Sequence, residues 1–252
     1  MPEFNRKSVL PLAAIALFMG GAAQAHDFWI EPGAFRTQVN ARVPLRLYVG
    51  QDFKGDSLVY LPDLIERYAV AGPGGERAIE AVAGDDPPGE LRPERAGLHI
   101  VLYRGRHSSV TFDTPEEFER YLDKEGLERV RGRDDYRQRT GRKPIRELYS
   151  RCAKALVAVG AAGADMDRTL GLRLELIAGK NPYARGYSGR LPVQLLFEGK
   201  PLAGALFIAF NKAEPMRKRR ARSGPDGRAL LAIDRPGVWL VTAVHMLPAP
   251  KG

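Results

Sequence analysis

The chain has 252 residues, with 39 Lys and Arg against 30 Asp and Glu, for a formal net charge of +9. Its one cysteine, Cys152, excludes an intrachain disulfide, so stability must come from ordinary cores. The length admits one large domain or two of modest size, and the chain carries no G-x-S-x-G, H-E-x-x-H, paired CxxC, P-loop or Rossmann fingerprint.

Residues 1–25 read as a removable signal peptide. Arg6 and Lys7 give a positive start, Val9 to Met19 an apolar run, and Gly20 to Ala25 a small-residue stretch ending in an A-x-A-like cleavage site. The product is expected to be periplasmic, with His26 as its first residue. Removing Arg6, Lys7 and Glu3 together leaves the mature chain basic. In that compartment its acidic partners would be membrane headgroups or anionic envelope polymers rather than nucleic acid. No later segment has the length of a membrane span, so an integral membrane protein is not expected after cleavage.

From Val43 to Phe112 short β-like runs, Leu45 to Val49, Tyr68 to Ala71, Leu98 to Tyr103 and Ser109 to Phe112, are separated by Gly and Pro clusters. This predicts an N-terminal β-sandwich over 26–113. Thr114, Pro115 and Glu117 then form a helix start ahead of Phe118, Tyr121 and Leu122. A second helix is expected over Ile145 to Leu156, because Ile145, Leu148, Tyr149, Cys152 and Leu156 fall at helical spacing. Cys152 would be a buried small hydrophobe on that helix. Residues 114–163 are thus expected to be an inserted helical hairpin.

Beyond it, Leu172 to Ile177, Leu191 to Phe197, Ala203 to Phe210, Ala229 to Ile233 and Val238 to His245 read as strands punctuated by Gly and Pro turns. They predict a second sandwich over 164–252, and the expected fold is mainly β: two immunoglobulin- or transthyretin-like sandwiches with the hairpin between them. The basic run Met216 to Arg222 is read as a solvated hairpin loop, with contact to an anionic envelope polymer as its functional alternative.

A histidine in first position can chelate one ion through its α-amine and Nδ1. Imidazole and amine donors suit borderline ions such as copper, nickel and zinc. A further ligand must come from elsewhere. His245 is the best candidate, at the end of a strand and beside the soft donor Met246, although a core histidine is the plainer reading. His99 is read as packed within its strand and His107 as turn surface. Asp27 and Glu31 could add an oxygen ligand or orient the imidazole. Phe28, Trp29 and Ile30 are expected to dock the N-terminus on the first sandwich.

AHDFWIEP after a signal peptide, ELYSRCAKALV, EGKPLAGALFIAFN and DGRALLAIDRPGVWLVTAVHM together resemble the periplasmic NikM-like family of unknown function, associated with nickel or cobalt uptake. The resemblance spans nearly all of the mature chain. It implies metal-related roles for His26 and the histidine of AVHM, His245, a transthyretin-like C-terminal half, and an inner-membrane transporter as partner. Many relatives continue with a further Trp-containing strand where this sequence has Pro250-Lys251-Gly252. The leading expectation is a non-enzymatic accessory protein with His26, Asp27 and His245 as metal ligands. The alternatives are a copper protein with a two-histidine brace and an envelope interaction module that binds no metal.

Overall fold

The computed structural model describes residues 26–133, 136, 144–161, 165–184 and 188–248. The signal peptide and its cleavage site, and the C-terminal residues 249–252, lie outside the described residues. Strand β1 (Asp27–Pro32) buries Trp29, Ile30 and Pro32. After β2 (Arg36–Thr37), the alternation in β3 (Val43–Gln51) buries Val43, Leu45 and Leu47, the period of two that puts successive side chains on opposite faces. There follow β4 (Lys54–Leu58), β5 (Ile65–Gly72), β6 (Gly75–Ala78), β7 (Glu90–Leu91), β8 (Gly97–Gly105) and β9 (Ser108–Phe112). Helix α1 (Pro115–Lys124) leads to β10 (Ile145–Tyr149) and β11 (Cys152–Val159). The rest is β12 (Leu174–Ala178), β13 (Arg190–Phe197), β14 (Lys200–Pro201), β15 (Leu206–Asn211), β16 (Glu214–Arg222), β17 (Arg228–Ala232) and β18 (Trp239–Ala243).

The protein is mainly β, but the two-sandwich fold with an inserted helical hairpin is overturned: small sheets form a four-bladed, propeller-like ring. One sheet runs β1-β3-β4 with β7 also on β3, and a five-stranded sheet runs β2-β11-β8-β5-β6. Another runs β12-β13-β14 with β17 on β13, a three-stranded sheet runs β16-β15-β18, and β9 and β10 form a ribbon.

The expected second helix is two strands. Ala153, Ala155, Val157 and Val159 pack into one core, while Leu156, on the opposite face of β11, packs into another. A strand with apolar groups on both faces reads as a continuous apolar run, and such a run also satisfies helical spacing. What decides the outcome is the edge of β8, whose residues Gly97 to Arg104 pair with all of β11. Leu148, required inside by a helix, is 65% exposed. Cys152 is half-buried at the start of β11, against Leu172 and Leu102.

The expected first helix does form. Thr114 Oγ1 accepts the Glu117 N–H at 3.2 Å, and Glu117 Oε2 returns to the Asp113 N–H at 3.1 Å. Its end is a Schellman turn, Leu127 N–H donating to Leu122 O at 2.8 Å, with Gly126 at φ +68°. A Cβ at Gly126 would meet Leu206 at 2.7 Å, so the turn needs glycine for both its dihedral and its packing. Gly126→Ala is expected to cost roughly 1–2 kcal/mol in urea unfolding.

Met216 to Arg222 is corrected from loop to strand: it lies in β16, at the edge of its sheet. Much of its charge is used internally. Lys218 pairs with Asp52, Arg219 with Asp234 at 2.8 Å, and Arg222 with Glu128 at 2.9 Å.

Candidate functional site

Strand β1 fixes the N-terminal residues by register, Asp27 opposite Gly50 through Pro32 opposite Leu45. Phe28 packs on Tyr103 with ring centroids 4.6 Å apart, and Trp29 stacks on Tyr48 at 5.2 Å. These contacts dock the segment as its aromatic content suggests, and His26 stands just before the strand, exposed.

Three other elements meet the start of β1. The β3–β4 turn brings Asp52 and Phe53, β16 brings Lys218, and the end of α1 brings Lys124 and Glu125. The turn is tight, since a Cβ on Gly50 would lie 2.0 Å from Lys54 O, and Asp52 and Phe53 hold φ of +56° and +60°. Phe53 fills the space between Trp29 at 5.7 Å and Phe210 at 5.4 Å.

The charges here are crowded and partly desolvated. Burial raises the Asp27 carboxyl above the ordinary range against the pull of Lys124 and Lys218, and Asp52 adds to the rise. Burial likewise raises Glu125, which is only 5% exposed, and its negative neighbour Asp27 adds to that rise. Glu125 was not singled out by the sequence. Its one visible signal is its place at the C-cap of α1, which turns it inward.

A cleft of about 2280 Å³ runs from His26 and Asp27 past β10 and β11 to the segment after β18, where His245 also lines it. Along its wall Tyr121 Oη donates to Glu147 Oε1 at 3.3 Å, while Glu147 Oε2 is buried without a hydrogen-bond partner among the described residues. Burial dominates at this carboxyl and pushes it up to about 7, with Glu125 contributing and the Tyr121 bond opposing. The folded protein therefore keeps a proton that the unfolded chain releases near the ordinary value of 4.5, so the associated stability is full below that value and is lost as pH rises through about 7. Glu147→Gln is expected to remove this decline and to raise the urea midpoint over the parent above pH 7.

His245 lies beyond β18, half-buried, with its ring 4.6 Å from that of Phe197. Burial lowers its basicity first, and the nearby Arg133 lowers it further. Met246 packs against the α1 cluster. His26 and His245 both line the cleft, at its two ends. Among the described residues no group of three or more His, Cys, Asp or Glu converges as a metal site.

His99 is buried in β8, its Nδ1 3.4 Å from Gly97 O, in keeping with packing. His107 is exposed between β8 and β9, and its Nε2 accepts from Arg173 Nη1 at 2.8 Å. Glu31 is engaged by Lys212 and by Trp29 Nε1.

No helix among the described residues is long and apolar enough to cross a membrane. No curated protein matches the chain. One family does match, over residues 23–247, and it takes in β1, the cleft and the segment holding His245. The chain belongs to the family described as Domain of unknown function (DUF4198).

Proposed function

We propose that the chain, once processed to a free His26, is a periplasmic accessory protein that captures nickel or cobalt for an inner-membrane uptake system, as its resemblance to the NikM-like proteins implies. The observation that carries this reading is the exposed imidazole of His26, anchored by β1 beside the partly buried carboxyl of Asp27. When the α-amine is free it closes a chelate ring with Nδ1. Asp27 would then supply an oxygen donor, and a cation there would relieve the crowding of Asp27 against Glu125.

His245 is the weaker part of the set, because Arg133 stands beside it and opposes a bound cation. No observation favours a copper brace, which needs the second imidazole to converge on the first.

The test is calorimetric titration of Ni(II), Co(II) and Cu(II) into protein with a mass-verified His26 terminus, beside a control with one glycine ahead of it. Binding by the first and none by the second is the expected result. Asp27→Asn is expected to lower affinity by roughly tenfold or more, because the ion loses an anionic oxygen donor. Equal or absent binding in both preparations overturns the reading and leaves the envelope interaction module in its place.

A further inference from the structure

The wall of the cleft carries a cation that is held by aromatic rings and has no carboxylate partner among the described residues. Arg151 precedes β11 and lines the cleft, half-buried, with its guanidinium carbon 4.6 Å from the centre of the Tyr149 ring and 5.9 Å from that of Phe28. Among the described residues it makes no ion pair. Other arginines are taken: Arg104, opposite Cys152 in the β8–β11 ladder, pairs with Glu66 at 2.8 Å, and Arg235, which lines the same cleft, pairs with Glu214.

Two rings on one guanidinium limit its rotation while leaving its in-plane N–H donors free, because stacking uses the face of the group and hydrogen bonding uses its edge. The same stretch of wall holds Ser150, His107 and Arg173. Arg173 donates to His107 Nε2 at 2.8 Å and lies 3.7 Å from Glu198 Oε1, so its charge is already partnered and Arg151 is the cation left to this stretch. The result is a ring-walled recess with one guanidinium that has no ion-pair partner among the described residues.

We infer that Arg151, between Phe28 and Tyr149, forms a binding subsite for an aromatic carboxylate, with the guanidinium edge taking the carboxylate and the ring walls taking the body of the acid. A guanidinium fork matches the two oxygens of a carboxylate, and an aryl group gains from apolar walls where a compact, strongly hydrated phosphate does not. The subsite is independent of the terminal chelate and is tested on metal-free protein.

The experiment is a titration of benzoate, acetate and inorganic phosphate, followed through the Nε–Hε signal of Arg151 by NMR and by calorimetry. Benzoate is expected to move that signal saturably, with acetate roughly tenfold or more weaker for lack of the buried ring. Arg151→Lys, which keeps charge but loses the fork, is expected to weaken benzoate by roughly tenfold, and Arg151→Met to abolish saturation. Tyr149→Leu should weaken benzoate while leaving acetate nearly unchanged. Unfolding midpoints near the parent value show that the variants fold, and Arg151→Lys carries the test if Arg151→Met does not. Phosphate binding as tightly as benzoate, benzoate affinity unchanged in Arg151→Lys, or no saturable shift at Arg151 would each overturn the inference.

Discussion

Lys154→Met is expected to lower unfolding free energy by roughly 3–5 kcal/mol, the range for removing one partner of a buried ion pair. The ammonium of Lys154 sits 2.6 Å from Asp167 Oδ1 and 3.3 Å from Glu175 Oε1, and the three side chains are 8%, 3% and 1% exposed. Its remaining reach goes to Arg168 O at 2.9 Å. Glu175 also accepts the N–H groups of Leu170, Gly171 and Leu172, and Asp167 those of Arg168 and Ala178. Two carboxylates thus shape the connection between β11 and β12 around a single cation. Without it, two negative groups face each other out of water, and one must bind a proton or the connection must open. Urea unfolding of Lys154→Met should show a lower midpoint at an unchanged slope. Adding Asp167→Asn and Glu175→Gln should recover part of the loss, because the amides keep an acceptor oxygen and remove the stranded charge. A triple variant no more stable than Lys154→Met would show that the ammonium acts by packing alone.

Phe210→Ala should rank with it, at roughly 3–5 kcal/mol. The ring is 1% exposed, lies edge-on to Phe53 at 5.4 Å, and carries Lys218 Nζ 3.4 Å above its centre. Its loss opens a cavity and also removes the seat of the β3–β4 turn. A double-mutant cycle with Phe53→Ala is therefore expected to give a coupling of about 0.5–1.5 kcal/mol. Phe53 holds φ of +60°, a conformation that costs a side chain with a Cβ roughly 1–2 kcal/mol. Phe53→Gly should accordingly be less harmful than Phe53→Ala, although it removes the same ring. Identical midpoints for the two would mean that the aromatic contacts do not hold this dihedral.

The residues that gave reliable local signals are those whose chemistry acts within a few positions. Thr114, Pro115 and Glu117 mark the start of α1 because a cap is satisfied locally, and glycines such as Gly199 and Gly227 mark strand-separating turns where positive φ is needed. The Ile145 to Leu156 segment misleads because its spacing serves a helix and a doubly buried strand equally well, and the deciding partner, β8, lies about fifty residues earlier in the chain. Met216 to Arg222 misleads in another way. Its charges look solvated until Asp52, Glu128 and Asp234 are brought to it from distant elements. At the candidate site, His26 and Asp27 follow from position in the chain, whereas the burial of Glu125 and Glu147 and the ring-stacked Arg151 depend on how α1, β10 and β1 pack. No local pattern encodes that packing.

The seat of Phe53 also bears on how the chain comes to be folded. Asp52 and its partner Lys218 are 166 residues apart, so a chain synthesised at roughly 5–20 residues per second needs about 8–33 s to produce the second after the first. Trp29 has Tyr48 to stack on as soon as β3 is made, whereas Phe53 gains its Phe210 contact only when β15 is made. Until then the chain lacks the ring against which Phe53 packs beside the first strand. The last sheet to be made shields the first strand.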